Sequence, residues 1–246
     1  EALQTAYKQP GGVALPPHGA AAAKLSQQDG EETGRTGRVC CVLPTPFHSG
    51  SSAWIHGGFS ILSSRKSLPL PLASEAQPKL QKVWNLCLLE GPVAESLADL
   101  ILNVAGRVQS PGSQMNRFWE LFPVRDGGAL QLHLAAATMR VLLGGAAFPS
   151  CTATDIRWIK GESFTMRTPF LGKALQDELV DDGLELVEMP DDVHQEYTDV
   201  RGEPCQCLGS VALCDFLRRI YKDKHGVPCG KNARNPSGTG FSSLAN

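Results

Sequence analysis

Residues 38–66 read RVCCVLPTPFHSGSSAWIHGGFSILSSRK, and the way apolar and turn-forming residues alternate within them decides the fold class. Val39 to Leu43 are apolar without a break, the pattern of a strand buried on both faces. Pro44 and Pro46 each remove a backbone donor, so strand pairing is expected to stop there. His48 to Ser52 supplies loop chemistry, and Ala53 to Leu62 resumes as a strand interrupted by Gly57 and Gly58. Two glycines inside a strand mark a bulge or a close backbone approach. The expectation is two apolar strands around a short polar loop, closed by Ser63-Ser64-Arg65-Lys66.

Outward from this block the pattern turns helical. Ser67 to Ala76 contains Pro69 and Pro71 and reads as a linker. From Pro78 to Leu102, Val83, Leu86 and Leu89, then Leu97, Leu100 and Ile101, recur at helical spacing. Gly91-Pro92 interrupts them and predicts a kink or two consecutive helices. Leu130, Leu134, Ala137 and Val141 mark a further helix ended by Gly144-Gly145. A short strand is expected at 156–159 and a helix from Thr168-Pro169 towards Val180. A brief strand comes next over Leu184 to Met189, stopped by Pro190. A last helix over Gly209 to Tyr221 turns Val211, Cys214 and Leu217 inward, with Phe216 and Ile220 as further candidates.

The fold class expected is therefore α+β, a short buried sheet with packed helices. Residues 1–37 read as an irregular or mobile segment, 38–221 as the α+β domain, and 222–246 as a disordered tail. A chain of 246 residues with 42% hydrophobic and 20% charged content can bury a core without metals or disulfides. The net charge of −2, a pI near 6.3 and the absence of a polybasic run argue against nucleic acid or an anionic membrane as partner. Eight cysteines fall far below the density of a disulfide scaffold, and Cys40, Cys41 and Cys87 sit in apolar segments. A reduced, intracellular protein is expected, as one piece of a longer chain or of an incomplete gene model.

Taken in order, these segments resemble the repeat region of the sacsin family. There a Phe-Cys-Phe-Leu-Pro-Leu-Pro strand precedes a Val-Asn-Gly-Phe-Phe strand and a Ser-Ser-Asn-Arg-Arg step, similar to Val39–Pro46, Trp54–Phe59 and Ser63–Lys66 here. The family's Trp-Asn and Leu-Leu-Glu helix looks like Trp84-Asn85 and Leu88-Leu89-Glu90. Its aromatic-proline segment looks like Trp119 with Phe122-Pro123. Arg157-Trp158-Ile159, Met189-Pro190 and Asp215-Phe216-Leu217-Arg218 continue the likeness, which spans Gly37 to Arg219. Gly57 stands where the family carries Asn, the Ser-Ser step lacks its Asn, and Gly91-Pro92 breaks a helix that is usually continuous.

The resemblance implies a fold like the middle region of heat-shock-ninety-like chaperones, downstream of an ATPase domain. The family's Asp-x-Gly-x-Gly loop, asparagine helix and glycine-rich lid are not found in this chain, so ATP and magnesium are expected only in an intact parent protein. The likeness also implies a non-catalytic co-chaperone module, with protein clients or the seventy-kilodalton chaperone system as partners, acting in protein quality control in the cytoplasm. The alternative is a structural subunit of a large assembly that reuses the scaffold.

Arg65 and Lys66 are the cofactor-binding candidates: in related chaperones a middle-domain arginine reaches the γ-phosphate from across the domain boundary. A solvated strand end is the plainer account of both. Cys205, Cys207, Cys214, His225 and Cys229 form a poor zinc pattern, because Cys-x-Cys chelates a tetrahedron badly, and no metal is expected. His48, His56 and Ser49 lack a nucleophile elbow, Gly230-Lys231 lacks the rest of a phosphate loop, and the Asp181-Asp182 and Asp191-Asp192 pairs suit caps better than calcium. The cluster Phe118 to Phe122 is expected in the core rather than on a partner surface.

Overall fold

Gly12–Ala14 (β1), Arg38–Cys41 (β2), Leu43–His48 (β3) and Trp54–His56 (β4) form one sheet in the order β1-β4-β2-β3. The computed structural model describes residues 12–14, 35–71, 74–108, 113–151, 155–162, 164–167, 171–203, 208 and 213–219. The chain divides into two units, residues 1–207 and 208–246. Helices with small sheets make the class α+β, as expected.

The sheet corrects the reading of Val39 to Leu43 as one unbroken buried strand. The chain reverses at Val42, which has φ 63° and is 84% exposed, and β3 returns antiparallel with Cys41 opposite Leu43 and Cys40 opposite Pro44. Pro44 and Pro46 do not end pairing, because β3 is an edge strand and an edge tolerates missing donors. β4 instead runs parallel to β2, with Val39 opposite Ile55, and antiparallel to β1, so Gly12–Ala14 of the segment expected to be irregular is a strand. Only Trp54–His56 of the expected Ala53 to Leu62 strand pairs; Gly57 and Gly58 end it.

The loop between β3 and β4 is buried rather than solvated. Ser49, Ser51 and Ala53 have no exposed surface. Ser51 Oγ donates to Leu121 O at 2.7 Å, Ser52 N donates to Glu120 O and Val124 N donates to Gly50 O. Gly50 has φ +74°, and a Cβ there would lie 2.4 Å from Val124 O, so only glycine fits. A Cβ on Gly37 would lie 2.1 Å from Ala53 O. Ser49 Oγ bonds within the loop while Ser51 Oγ, Ser52 N and Gly50 O find partners at 121, 120 and 124, which is why the loop can be inside.

Leu80–Leu88 (α1) runs through a π-helical turn, Leu89–Val93, into Ala94–Ala105 (α2). Gly91 leaves helical geometry at φ −105°, ψ −109°, and Pro92 supplies no donor, so the expected kink falls where the sequence puts it. Leu89, Val93, Leu97 and Ile101 are fully buried, whereas Val83 is exposed and does not belong to the apolar face. A short helix, Ser113–Trp119 (α3), precedes Ala129–Leu143 (α4), which packs against α2 and ends at Gly144. Val141 of the expected inner stripe is exposed; Leu142 replaces it.

The aromatic cluster is core. Phe118 meets Trp119, Phe122 and Trp158 edge-on at 5.0 to 5.5 Å between centroids, and Phe122, Phe148, Phe164 and Tyr197 continue the chain of rings. These rings join Ala146–Cys151 (β5) and Ile156–Lys160 (β6), an antiparallel pair, to Asp191–Arg201 (α6). Thr165–Met166 (β7) pairs in parallel with Leu186–Val187 (β8), and Lys173–Asp181 (α5) lies between them in sequence. The helix expected from Thr168-Pro169 starts at Lys173, after Leu171 and an extended Gly172; Thr168 and Pro169 lie outside the described residues. Asp191 and Asp192 occupy the first turn of α6, where carboxylates suit the helix dipole. In the second unit residues 213–219 are helical; Phe216 is buried, and Cys214 and Leu217 are exposed rather than inward.

Candidate functional site

A groove of about 790 Å³ opens beside the edge strand. Its walls are Pro46–His48 of β3, Leu62 with Lys66–Pro71, the start of α1 at Lys79, Gln81 and Lys82, and Gly128–Gln131 at the head of α4. The volume lies in the range that takes a small ligand or a short segment of peptide. Pro46, Phe47, His48, Leu62 and Lys66 of the 38–66 stretch therefore contribute to the groove.

That wall is fixed from both ends. Asn85 of α1 is fully buried, accepts from Ser60 N at 2.7 Å and donates to Ser60 O at 2.8 Å and Pro69 O at 2.9 Å. Trp84 Nε1 donates to Gly58 O at 2.9 Å. The Trp-Asn pair thus holds both feet of the 58–69 loop, a role its sequence did not disclose. The signal was present in kind: a polar amide at a helix position that would otherwise pack needs buried partners.

At the tip of the loop Arg65 takes a left-handed conformation, φ 56°, and its guanidinium donates to Leu43 O at 3.1 Å and Cys41 O at 3.3 Å. It clasps the reversal at Val42. Lys66, the other sequence candidate, is exposed on the groove wall. The two neighbours thus part company, Arg65 tied to backbone and Lys66 facing the groove.

The groove's charge is one-sided. Its lining carries Lys66, Lys79, Lys82 and His48 and no carboxylate. Lys82 pairs with Glu75 at 2.7 Å; Lys66 and Lys79 are exposed and make no ion pair among the described residues. Gln131 Nε2 donates to His48 O at 2.9 Å and to Asp126 Oδ2 at 3.3 Å, tying the head of α4 to the end of β3.

The remaining candidates are dispersed. Ser49 is buried, its hydroxyl shared between the carbonyls of Ser51 and Ala53, and His56 is exposed on β4. No group of three or more His, Cys, Asp or Glu able to hold a metal occurs among the described residues, and Cys205, Cys207, His225, Cys229 and the Gly230-Lys231 pair lie outside them. No described helix is long and apolar enough to cross a membrane.

Three groups have displaced acidities. Burial pushes the Cys151 thiol up to about 11 against the opposing pull of Arg167, and burial raises Cys40 despite Arg38. Glu196 of α6 is 2% exposed, and burial raises its carboxyl above the usual range while Arg125 pulls it down. Its Oε1 accepts from Arg125 N at 2.9 Å; its Oε2 lies 2.9 Å from Arg125 Nε, off the line of a hydrogen bond. None of the three lines the groove.

No protein-family model, curated protein or solved structure matches this chain.

Proposed function

We propose that this chain is a non-catalytic binding module of a sacsin-like co-chaperone, taking segments of client proteins or of partner chaperones in the cytoplasm. The observation that supports it most is the groove beside β3, an open apolar trough to which Pro46 and Lys66, from two of the segments that carry the family resemblance, contribute. Phe47, Leu62, Leu68, Leu70 and Leu130 offer apolar surface, and Asn85 holds the 60–69 segment that carries Leu62 and Leu68 at Ser60 and Pro69. Such a surface recognises by burial and charge.

In the intact parent, ATP and magnesium would belong to the upstream domain. A phosphate-reaching role for Arg65 would require its guanidinium to leave the carbonyls of Cys41 and Leu43. Lys66 is the cation that such a domain would meet first.

The test is suppression of aggregation. The whole chain, mixed with a chemically unfolded client, should slow the rise of light scattering, and Leu62→Ser with Leu68→Ser should lose the effect. A chain that leaves scattering unchanged at molar excess overturns the proposal. The reading as a structural subunit would draw on Val42 and Leu43, 84% and 59% exposed at the β2–β3 reversal, and would show as self-association in sedimentation.

A further inference from the structure

We infer that the groove beside β3 selects acidic, leucine-bearing segments of extended polypeptide; this rests on the binding-module reading and specifies its partner. Charge complementarity carries it. A chain with net charge −2 gathers three lysines and a histidine around one groove and places no carboxylate in its lining. Lys66 and Lys79, both in the lining, have no ion-pair partner among the described residues. Lone ammonium groups flanking apolar surface favour carboxylates alternating with apolar side chains.

The walls also fix how the occupant is held. Pro46 of the edge strand and Pro69 and Pro71 of the 62–71 segment carry no N–H. A peptide laid along them finds no continuous ladder, so β-strand addition is denied and recognition passes to side chains. Leucine-sized groups would enter between Phe47, Leu62, Leu68 and Leu130, and carboxylates would reach Lys66 and Lys79. The first turn of α4, Ala129 to Gln131, lines the same space, with Asp126 beside it accepting from Gly128 N at 3.4 Å and from Gln131 Nε2 at 3.3 Å. A nucleic acid would seek backbone donors and several stacking faces; beside Phe47 and His48 this groove offers aliphatic side chains and prolines, and peptide fits it better.

The experiment uses the whole chain and a short fluorescein-labelled peptide alternating glutamate with leucine, read by fluorescence anisotropy. Saturable binding that weakens with salt is expected, and Lys66→Glu with Lys79→Glu should weaken it at least about tenfold. Both lysines are exposed, so the variant should keep the urea unfolding curve of the parent. Leu62→Ser should weaken binding without changing its salt dependence. Equal affinity for a lysine-leucine peptide, indifference to the double charge reversal, or tighter binding of a labelled single-stranded oligonucleotide through the same lysines would each overturn the inference. Absent peptide binding in a chain that still holds an unfolded client overturns the acidic selection and leaves the module reading standing. Peptide binding without client holding supports the selection and removes the module reading.

Discussion

Replacing Asn85 by Ala should destabilise the protein more than any surface change and loosen the groove wall first. The amide makes three hydrogen bonds, two to Ser60 and one to Pro69, from a position with no exposed surface. At a net ~1 kcal/mol each, with part of the desolvation penalty for the partners left behind, the loss comes to roughly 2–4 kcal/mol. Ser60 and Pro69 are themselves half-buried, so water can repair some of the damage and the middle of that range is expected. With a urea m-value of about 2–3 kcal/mol per molar for a chain this size, the midpoint should fall by about 1 M. Trp84 sits beside the change and its fluorescence reports the transition. Trypsin should also cut after Arg65 or Lys66 faster in the variant, because the loop has lost its feet while the rest remains folded. Asn85→Asp keeps the acceptor for Ser60 N but sets a carboxylate against two carbonyls, and should be at least as unstable. A midpoint shift worth under about 1 kcal/mol, with unchanged trypsin cleavage, would refute the assignment of Asn85 as the clamp.

Arg65→Ala should cost about 1–2 kcal/mol through the two lost carbonyl bonds, and Arg65→Gly less by about 0.5–1 kcal/mol, since glycine relieves the positive φ; a glycine variant less stable than the alanine one in urea contradicts this. Glu196 holds its proton to higher pH folded than unfolded, so between the ordinary glutamate value of 4.5 and its raised one the unfolded chain ionises first and stability falls as pH rises. Glu196→Gln cannot titrate and should flatten that fall in urea midpoints measured across the window; a parallel curve argues against it. Thiol labelling at about pH 8 should modify Cys87 and Cys214 first and Cys40 and Cys151 last, as mass spectrometry of quenched samples would show; early labelling of Cys151 would contradict a pKa pushed up to about 11.

Where one periodicity governs a long segment, the sequence was readable. α2 and α4 lie where their apolar spacing put them, and the kink at Gly91-Pro92 is written in the residues that make it. The 38–62 stretch misled for a physical reason. A reversal at a single left-handed valine has no turn signature, because valine is a poor occupant of that conformation and is held there by Arg65 from 22 residues further on at Leu43 O. Likewise the Ser49 to Ala53 loop looks solvated by composition, and only its partners at 120–124 take it inside. Lys66 could be named as a candidate, but Lys79, Lys82 and the head of α4 join it by tertiary folding, which no local pattern encodes.

The feature that most favours a groove over an incidental hollow is how firmly its wall is held before anything binds. Association loses free energy to ordering, about 0.5–1.5 kcal/mol for each flexible side chain and more for a loop. Here the 58–71 segment is already ordered by Trp84 at Gly58, Asn85 at Ser60 and Pro69, and Arg65 at the β2–β3 reversal. Pro69 and Pro71 further narrow what the unbound segment can explore. Two non-glycine residues, Val42 and Arg65, adopt left-handed conformations to close this arrangement, each at a cost that a purely structural loop could avoid with glycine. Arg65, spanning two carbonyls, fixes the tip that carries Lys66. The left-handed Arg65 and the exposed Lys66 are adjacent, and the bonds that hold the first fix the backbone from which the second joins the groove lining.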